Sequence, residues 1–178
     1  MEYTNLGLTG LKVSVMGVGC GGPSRVGKGT GKTTEESVSL IQHALDNGIN
    51  IIDTAEFYDT ERIVGDAIKG YDRDSLILST KKSAWGEFNP ESIEKSLNKS
   101  LKNLGTDFID IYHLHAVLPE DYDKIVSKSI PVLQKLRDEG KIRYLGITER
   151  FDIDSNHEML QKALNDDFWD VMMVVLTC

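Results

Sequence analysis

The chain has 178 residues, 40% hydrophobic and 27% charged, with a net charge of −8, enough for one domain with a sizeable core spanning residues 1–178. The acidic balance, with Lys and Arg spread along the chain, argues against a nucleic-acid or anionic-membrane partner, and there is no apolar run of about 18 residues to cross a bilayer. Met1-Glu2-Tyr3-Thr4-Asn5 lacks a basic-then-apolar signal pattern and the two cysteines, Cys20 and Cys178, give no disulfide framework, so a cytoplasmic setting is expected.

In chain order, Leu6-Gly7-Leu8-Thr9-Gly10-Leu11-Lys12-Val13 reads as a hairpin with Thr9-Gly10 in the turn. Val15 to Cys20 is a first buried strand. Residues 21–32, rich in Gly, form a loop, where glycines can let a phosphate or ring approach the backbone. Thr33 to Asn47 is a helix with Val38, Ile41, Ala44 and Leu45 on one stripe and Thr33 or Thr34 as its cap. Gly48 stops it, and Ile49, Ile51 and Ile52 form a short strand that ends on Asp53, with Tyr58 in the loop beyond. Glu61 to Lys69 is a second helix. Ser75 to Thr80 is a strand ending on Lys81-Lys82. Asn89-Pro90 opens a helix that Gly105 closes. Phe108 to Leu114 is a strand ending on His115. Glu120 to Glu139 is helical with a break near Pro131, and Gly140 stops it. Ile142 to Ile147 is a fifth strand, Met159, Leu160, Ala163 and Leu164 mark a helix, and Val171 to Leu176 is a sixth strand. Strict β-α alternation with short links predicts a parallel sheet in an α/β fold.

Asp53, Lys81 and His115 thus sit at the carboxyl ends of successive strands, and Tyr58 follows one of them. In a parallel α/β barrel that rim carries the active site. These residue types suit proton transfer to a carbonyl. A tyrosine hydroxyl titrates near pH ~10, and a nearby ammonium favours its ionised form. Lys81 can supply that charge, Asp53 can hold the lysine, and His115 can bond the substrate oxygen. A bland alternative makes Asp53 a turn cap, Tyr58 a packing residue and Lys81 a solvated or structurally paired cation.

The sequence resembles the aldo-keto reductase family. The resemblance rests on Leu6-Gly7-x-Thr9-Gly10-Leu11-x-Val13-Ser14 with Gly17-x-Gly19, and on Gly48-x-x-x-x-Asp53-Thr54-Ala55 followed by Tyr58, Glu61 and Gly65. Ser79-Thr80-Lys81, Asp110-Ile111-Tyr112-His113-Leu114-His115 and Gly140-Lys141-Ile142-Arg143-x-Leu145-Gly146-Ile147-Thr148 complete it. It implies a parallel (β/α)8 TIM barrel with an N-terminal β-hairpin. It also implies reduction of aldehydes and ketones with NADPH, sometimes NADH. On this resemblance Tyr58 is the proton donor, Lys81 and Asp53 tune it, and His115 orients a small-molecule carbonyl substrate. Gly19, Cys20 and Gly21, with Asp53 and Thr148, are the expected cofactor contacts.

The sequence departs from the family pattern at three points. Thr148-Glu149 stands where the family usually has Ser-Asn, and Met173 stands where it often has Gln. The third is length: eight-stranded barrels typically take about 250 residues, and six strands are readable here. The barrel is therefore expected to be incomplete, with self-association through open sheet edges and weak cofactor binding. The non-catalytic alternative is a truncated or degenerate relative acting as a binding module, or a fragment of a longer reading frame, which the end Val174-Val175-Leu176-Thr177-Cys178 favours. A further alternative takes His113-Leu114-His115 as a metal-binding pair. The only other histidines, His43 and His157, fall on predicted helices, and three or more convergent ligands are needed, so no metal is expected.

Overall fold

A computed structural model describes residues 1–83 and 85–176. Cys178, and the end of the chain from Thr177, lie outside the described residues. An antiparallel hairpin, β1 (Tyr3–Asn5) with β2 (Lys12–Ser14), precedes a six-stranded parallel sheet. The sheet runs in sequence order: β3 (Val18–Gly19), β4 (Ile51–Asp53), β5 (Ile77–Lys82), β6 (Ile109–Val117), β7 (Ile142–Glu149) and β8 (Val171–Met173). Helices α1 (Thr34–Asp46), α2 (Glu61–Ala67), α3 (Pro90–Leu104), α4 (Tyr122–Asp138) and α5 (Glu158–Ala163) make the crossovers. The sheet with its crossover helices is a curled, partial (β/α)8 barrel.

Local chemistry accounts for the helix limits. Thr33 Oγ1 accepts from Glu36 N–H while Glu36 Oε2 accepts from Thr33 N–H, a reciprocal box that opens α1. Asn89 Oδ1 accepts from Ser92 N–H, Pro90 fills the first position of α3, and Gly105 ends it in the left-handed region. α4 runs unbroken through Pro131, contrary to the expected break. An internal proline removes a hydrogen bond at a cost of about 3 kcal/mol. Here buried residues on both sides of it, Ser129 and Ile130 before and Val132 and Leu133 after, hold the two halves on one core.

The sheet strands all shift somewhat from their expected bounds, three of them most. β3 is shorter because Val15 N–H bonds back to Glu2 O, continuing the hairpin, while Val15 and Met16 stay exposed. β8 stops at Met173 because its parallel partner β7 runs out, Thr148 facing Met173 in the last pair. β6 runs further, to Val117, with a register shift between Leu114 and Val117 and Ala116 at φ 55°. His115 is therefore inside a strand, next to a bulge, a local distortion that re-aims side chains.

Alternation sorts the strands into two layers. Ile52, Leu78, Tyr112, Leu114, Leu145 and Ile147 pack against the helices as the main core. Ile77 and Ile111 face the lumen, where Val13 of the hairpin closes its floor. Among the described residues β3 and β8 each have a strand neighbour on one side only.

Candidate active site

The register places Asp53 beside Ser79 and Lys81 beside His113, all on the lumen face. Lys81 Nζ donates to Asp53 Oδ2 at 2.5 Å and to Thr54 O at 2.7 Å. The lysine is 1% exposed, so it needs these acceptors: a buried ammonium without an anion is costly. Burial lowers its pKa, and Asp53 acts in the opposite direction.

Tyr58 sits in a short turn, residues Glu56–Tyr58, directly after β4. Its hydroxyl is 3.3 Å from His115 Nε2, the rings meeting edge to face, and Lys81 Nζ is 5.2 Å from the centre of the Tyr58 ring. The structure thus brings Asp53, Tyr58, Lys81 and His115 together. In the resting chain the Tyr58 hydroxyl is held protonated. Burial, then the Asp53 carboxylate, push the Tyr58 hydroxyl up to about 12.

Behind the rim lies a buried relay that sequence reading did not single out. Ser79 Oγ donates to Asp53 Oδ1 at 2.6 Å and lies 3.1 Å from His113 Nε2. A Cβ on Gly146 would stand 2.2 Å from His113 Nδ1, so only glycine admits this ring. The signal available in the sequence was the even spacing of Ser79, Lys81, His113 and His115 along two adjacent strands. His113 serves this relay, and among the described residues no three His, Cys, Asp or Glu side chains converge as a metal ion would need.

The expected cofactor contacts fall into separate groups. Cys20 is fully buried, its N–H donating to Asp53 O and its carbonyl accepting from Thr60 Oγ1. Burial, then Asp53, push its thiol up to about 12. Its side chain is closed off from the lumen surface by this burial. Gly21 admits the Tyr58 ring, since a Cβ there would stand 2.6 Å from it. Gly19 has open space where a Cβ would be, and with Asp53 and Met173 it borders a lumen cavity of about 430 Å³. Thr148 Oγ1 accepts from Ala116 N–H at 2.7 Å, leaving its own hydrogen free to donate. Glu149 turns to the helix side, where it meets His157 Nδ1 at 2.6 Å and Val175 N–H at 2.8 Å. Two rings outside the expected set, Phe57 and Trp85, meet at a tilt at 4.6 Å and stand half exposed, with Trp85 edge to face with His115 at 6.1 Å.

The site carries a pH dependence of stability. Burial, then the Lys81 charge, lower the His115 pKa from 6.5 to about 4, and burial lowers that of His113 well below 6.5. The folded protein holds both rings neutral, while the unfolded chain takes up protons near pH 6.5. The stability is complete above that pH and is lost as pH falls towards about 4. His115 alone accounts for about 3 kcal/mol over this window. Urea denaturation from pH 7.5 down to 4.5 is expected to show the fall and His115→Gln to lessen it, the His113 share remaining. A pH-independent stability in this range would contradict the assignment.

The comparisons with known proteins converge. Residues 16–177 match the family described as the Aldo/keto reductase family. L-galactose dehydrogenase of Arabidopsis thaliana is 38% identical over 157 residues, covering 83% of this chain and 48% of that protein. A solved aldo-keto reductase from Bacillus halodurans, in its holo form, aligns with a TM-score of 0.74 at 28% identity, covering 98% of this chain and 56% of that one. Another from Klebsiella pneumoniae, in complex with NADPH, aligns with a TM-score of 0.65 at 28% identity, covering 79% and 47%. The chain spans about half the length of the curated relatives it matches.

Proposed function

The chain belongs to the aldo-keto reductase family, and from that premise we propose that the protein reduces aldehyde or ketone carbonyls to alcohols with NADPH or NADH, Tyr58 giving the proton. The observation that carries this reading is one cluster: the Tyr58 hydroxyl 3.3 Å from His115 Nε2, beside the Lys81–Asp53 pair at 2.5 Å.

The residues present fit the nicotinamide end of such a cofactor. Thr148 keeps a free hydroxyl donor for a carboxamide, and Gly19 leaves open space beside Asp53 where a ring can approach. Thr148, Gly19 and Asp53 would hold it there. When bound, the reduced nicotinamide supplies a hydride.

His115 is neutral at pH 7, with its pKa at about 4. Its buried Nδ1 has no partner. A ring with its hydrogen on Nε2 leaves only an acceptor unpaired there and aims an N–H towards the Tyr58 hydroxyl. Two donors, Tyr58 O–H and His115 Nε2–H, then converge where a carbonyl oxygen would sit, and they favour the negative charge that grows on it during reduction. Tyr58 releases its proton to that oxygen. The phenolate left behind is stabilised by the Lys81 ammonium, 5.2 Å from the ring centre. A hydroxyl at about 12 keeps its proton in the resting protein, so the donor is always charged with it. Phe57 and Trp85 offer apolar faces to the substrate body.

The test is NADPH oxidation by the purified protein on addition of a simple aldehyde. Consumption that depends on aldehyde is expected. None with either NADPH or NADH, from a folded protein, would remove the proposal.

A further inference from the structure

His113 is buried on the lumen face of β6, two positions before His115, and the proposed reduction gives it no contact with substrate. The fold keeps it at a cost. Gly146 on β7 must lack a side chain to admit the ring, and a glycine inside a strand weakens it. His113 Nδ1 is buried without a partner. An apolar side chain would fill the same space and leave no polar atom over. Packing alone therefore does not account for a histidine at this position.

The count of hydrogens fixes what the ring does. Ser79 has one hydroxyl hydrogen, and it goes to Asp53 Oδ1 at 2.6 Å. The 3.1 Å contact between Ser79 Oγ and His113 Nε2 then needs its hydrogen from the ring. Nδ1 is left with a lone pair, the milder group to bury unpaired. The ring is neutral, since burial, then the Lys81 charge, hold its pKa well below 6.5. One directed chain results, from His113 Nε2–H to Ser79 Oγ and from Ser79 O–H to Asp53 Oδ1. On its other side Asp53 Oδ2 accepts from Lys81 Nζ at 2.5 Å. Each oxygen of this carboxylate, whose side chain is 25% exposed, thus has its own donor. The group cannot turn without breaking one of these bonds, and each bond in such a chain strengthens the next.

We propose that His113 and Ser79 are positioning residues for carbonyl reduction: they fix the Asp53 carboxylate, and through it the Lys81 ammonium, beside the Tyr58 ring. No proton moves along them. The kinetic consequence rests on the reduction proposed above, whereas the hydrogen positions do not.

The first test is long-range nitrogen–proton NMR of the imidazoles at pH 7, the His113 signals being those absent from His113→Gln. A hydrogen on Nε2 and a bare Nδ1 are expected. A hydrogen on Nδ1 overturns the proposal, whether or not the protein reduces carbonyls. The second test is steady-state reduction of a simple aldehyde. Ser79→Ala should lower kcat about 10- to 100-fold, the scale of one hydrogen bond to a charged group. The aldehyde KM should stay nearly unchanged, because neither residue reaches the substrate. His113→Leu should lower kcat in the same direction, and His113→Gln, whose amide can donate to Ser79, should restore most of the loss. Since His113 acts through Ser79, the double variant should be no slower than Ser79→Ala alone. An unchanged kcat in folded Ser79→Ala, or losses that add in full in the double variant, overturns the proposal. Where a variant does not fold, the NMR of the parent decides. A folded parent that reduces no aldehyde removes the reduction reading, and the Nδ1-protonated ring removes this one.

Discussion

Tyr58→Phe is expected to lower carbonyl reduction by at least about 100-fold and to leave NADPH affinity nearly unchanged. General acid catalysis contributes roughly 10² to 10⁴ in rate, and this substitution deletes the acid while keeping the ring. The ring also fills the space against Gly21, so a smaller residue would open a hole and blur the result. Steady-state kinetics with a simple aldehyde, alongside calorimetry with NADPH, separates the two effects. A loss confined to rate means that the hydroxyl acts in the reacting state. A Phe variant that reduces the aldehyde at the parental rate would take Tyr58 out of the mechanism.

Asp110→Ala is expected to destabilise the fold by about 3–5 kcal/mol, a large part of the roughly 5–15 kcal/mol that holds a typical domain. Asp110 is fully buried at the closed end of the barrel. Its Oδ2 accepts from Arg73 Nη2 at 2.7 Å and from Leu78 N–H at 2.9 Å, and its Oδ1 accepts from Arg143 Nη1 at 2.9 Å. The Phe108 ring lies 4.0 Å from both guanidinium carbons. Removing the carboxylate takes the shared anion from the half-buried Arg73 and the exposed Arg143 and leaves one backbone donor unpaired. Asp110→Asn keeps one acceptor and should cost less. Urea denaturation measures both, and a loss below about 1 kcal/mol for Asp110→Ala would show that the arginines find water instead.

The strand order and the helix stripes were legible because each rests on local chemistry. Period-2 alternation, the Thr33–Glu36 box and the Asn89-Pro90 start act within a few residues. Asp53, Lys81 and His115 were legible because charged or polar side chains closing apolar strands stand out. What was not legible depends on contacts far apart in sequence. Pro131 looked like a break because its local cost is real; the packing that offsets it is tertiary. The use of the Cys20 backbone groups by Thr60 and Asp53 joins residues about 30 to 40 positions apart, so no local pattern shows it. The Ser79–His113 relay needs the β5–β6 register, which no single stretch reveals. The upward shift of Tyr58 comes first from its burial, which residue types alone do not give.

The most direct measurement is transfer of the label from NADPH carrying deuterium at the hydride position, with an aldehyde as substrate, read by mass spectrometry of the alcohol. One deuterium on the former carbonyl carbon, with the hydroxyl hydrogen taken from solvent through Tyr58, is the predicted result. Alcohol without deuterium from either face of the labelled cofactor, or no alcohol at all from the folded protein, would contradict it.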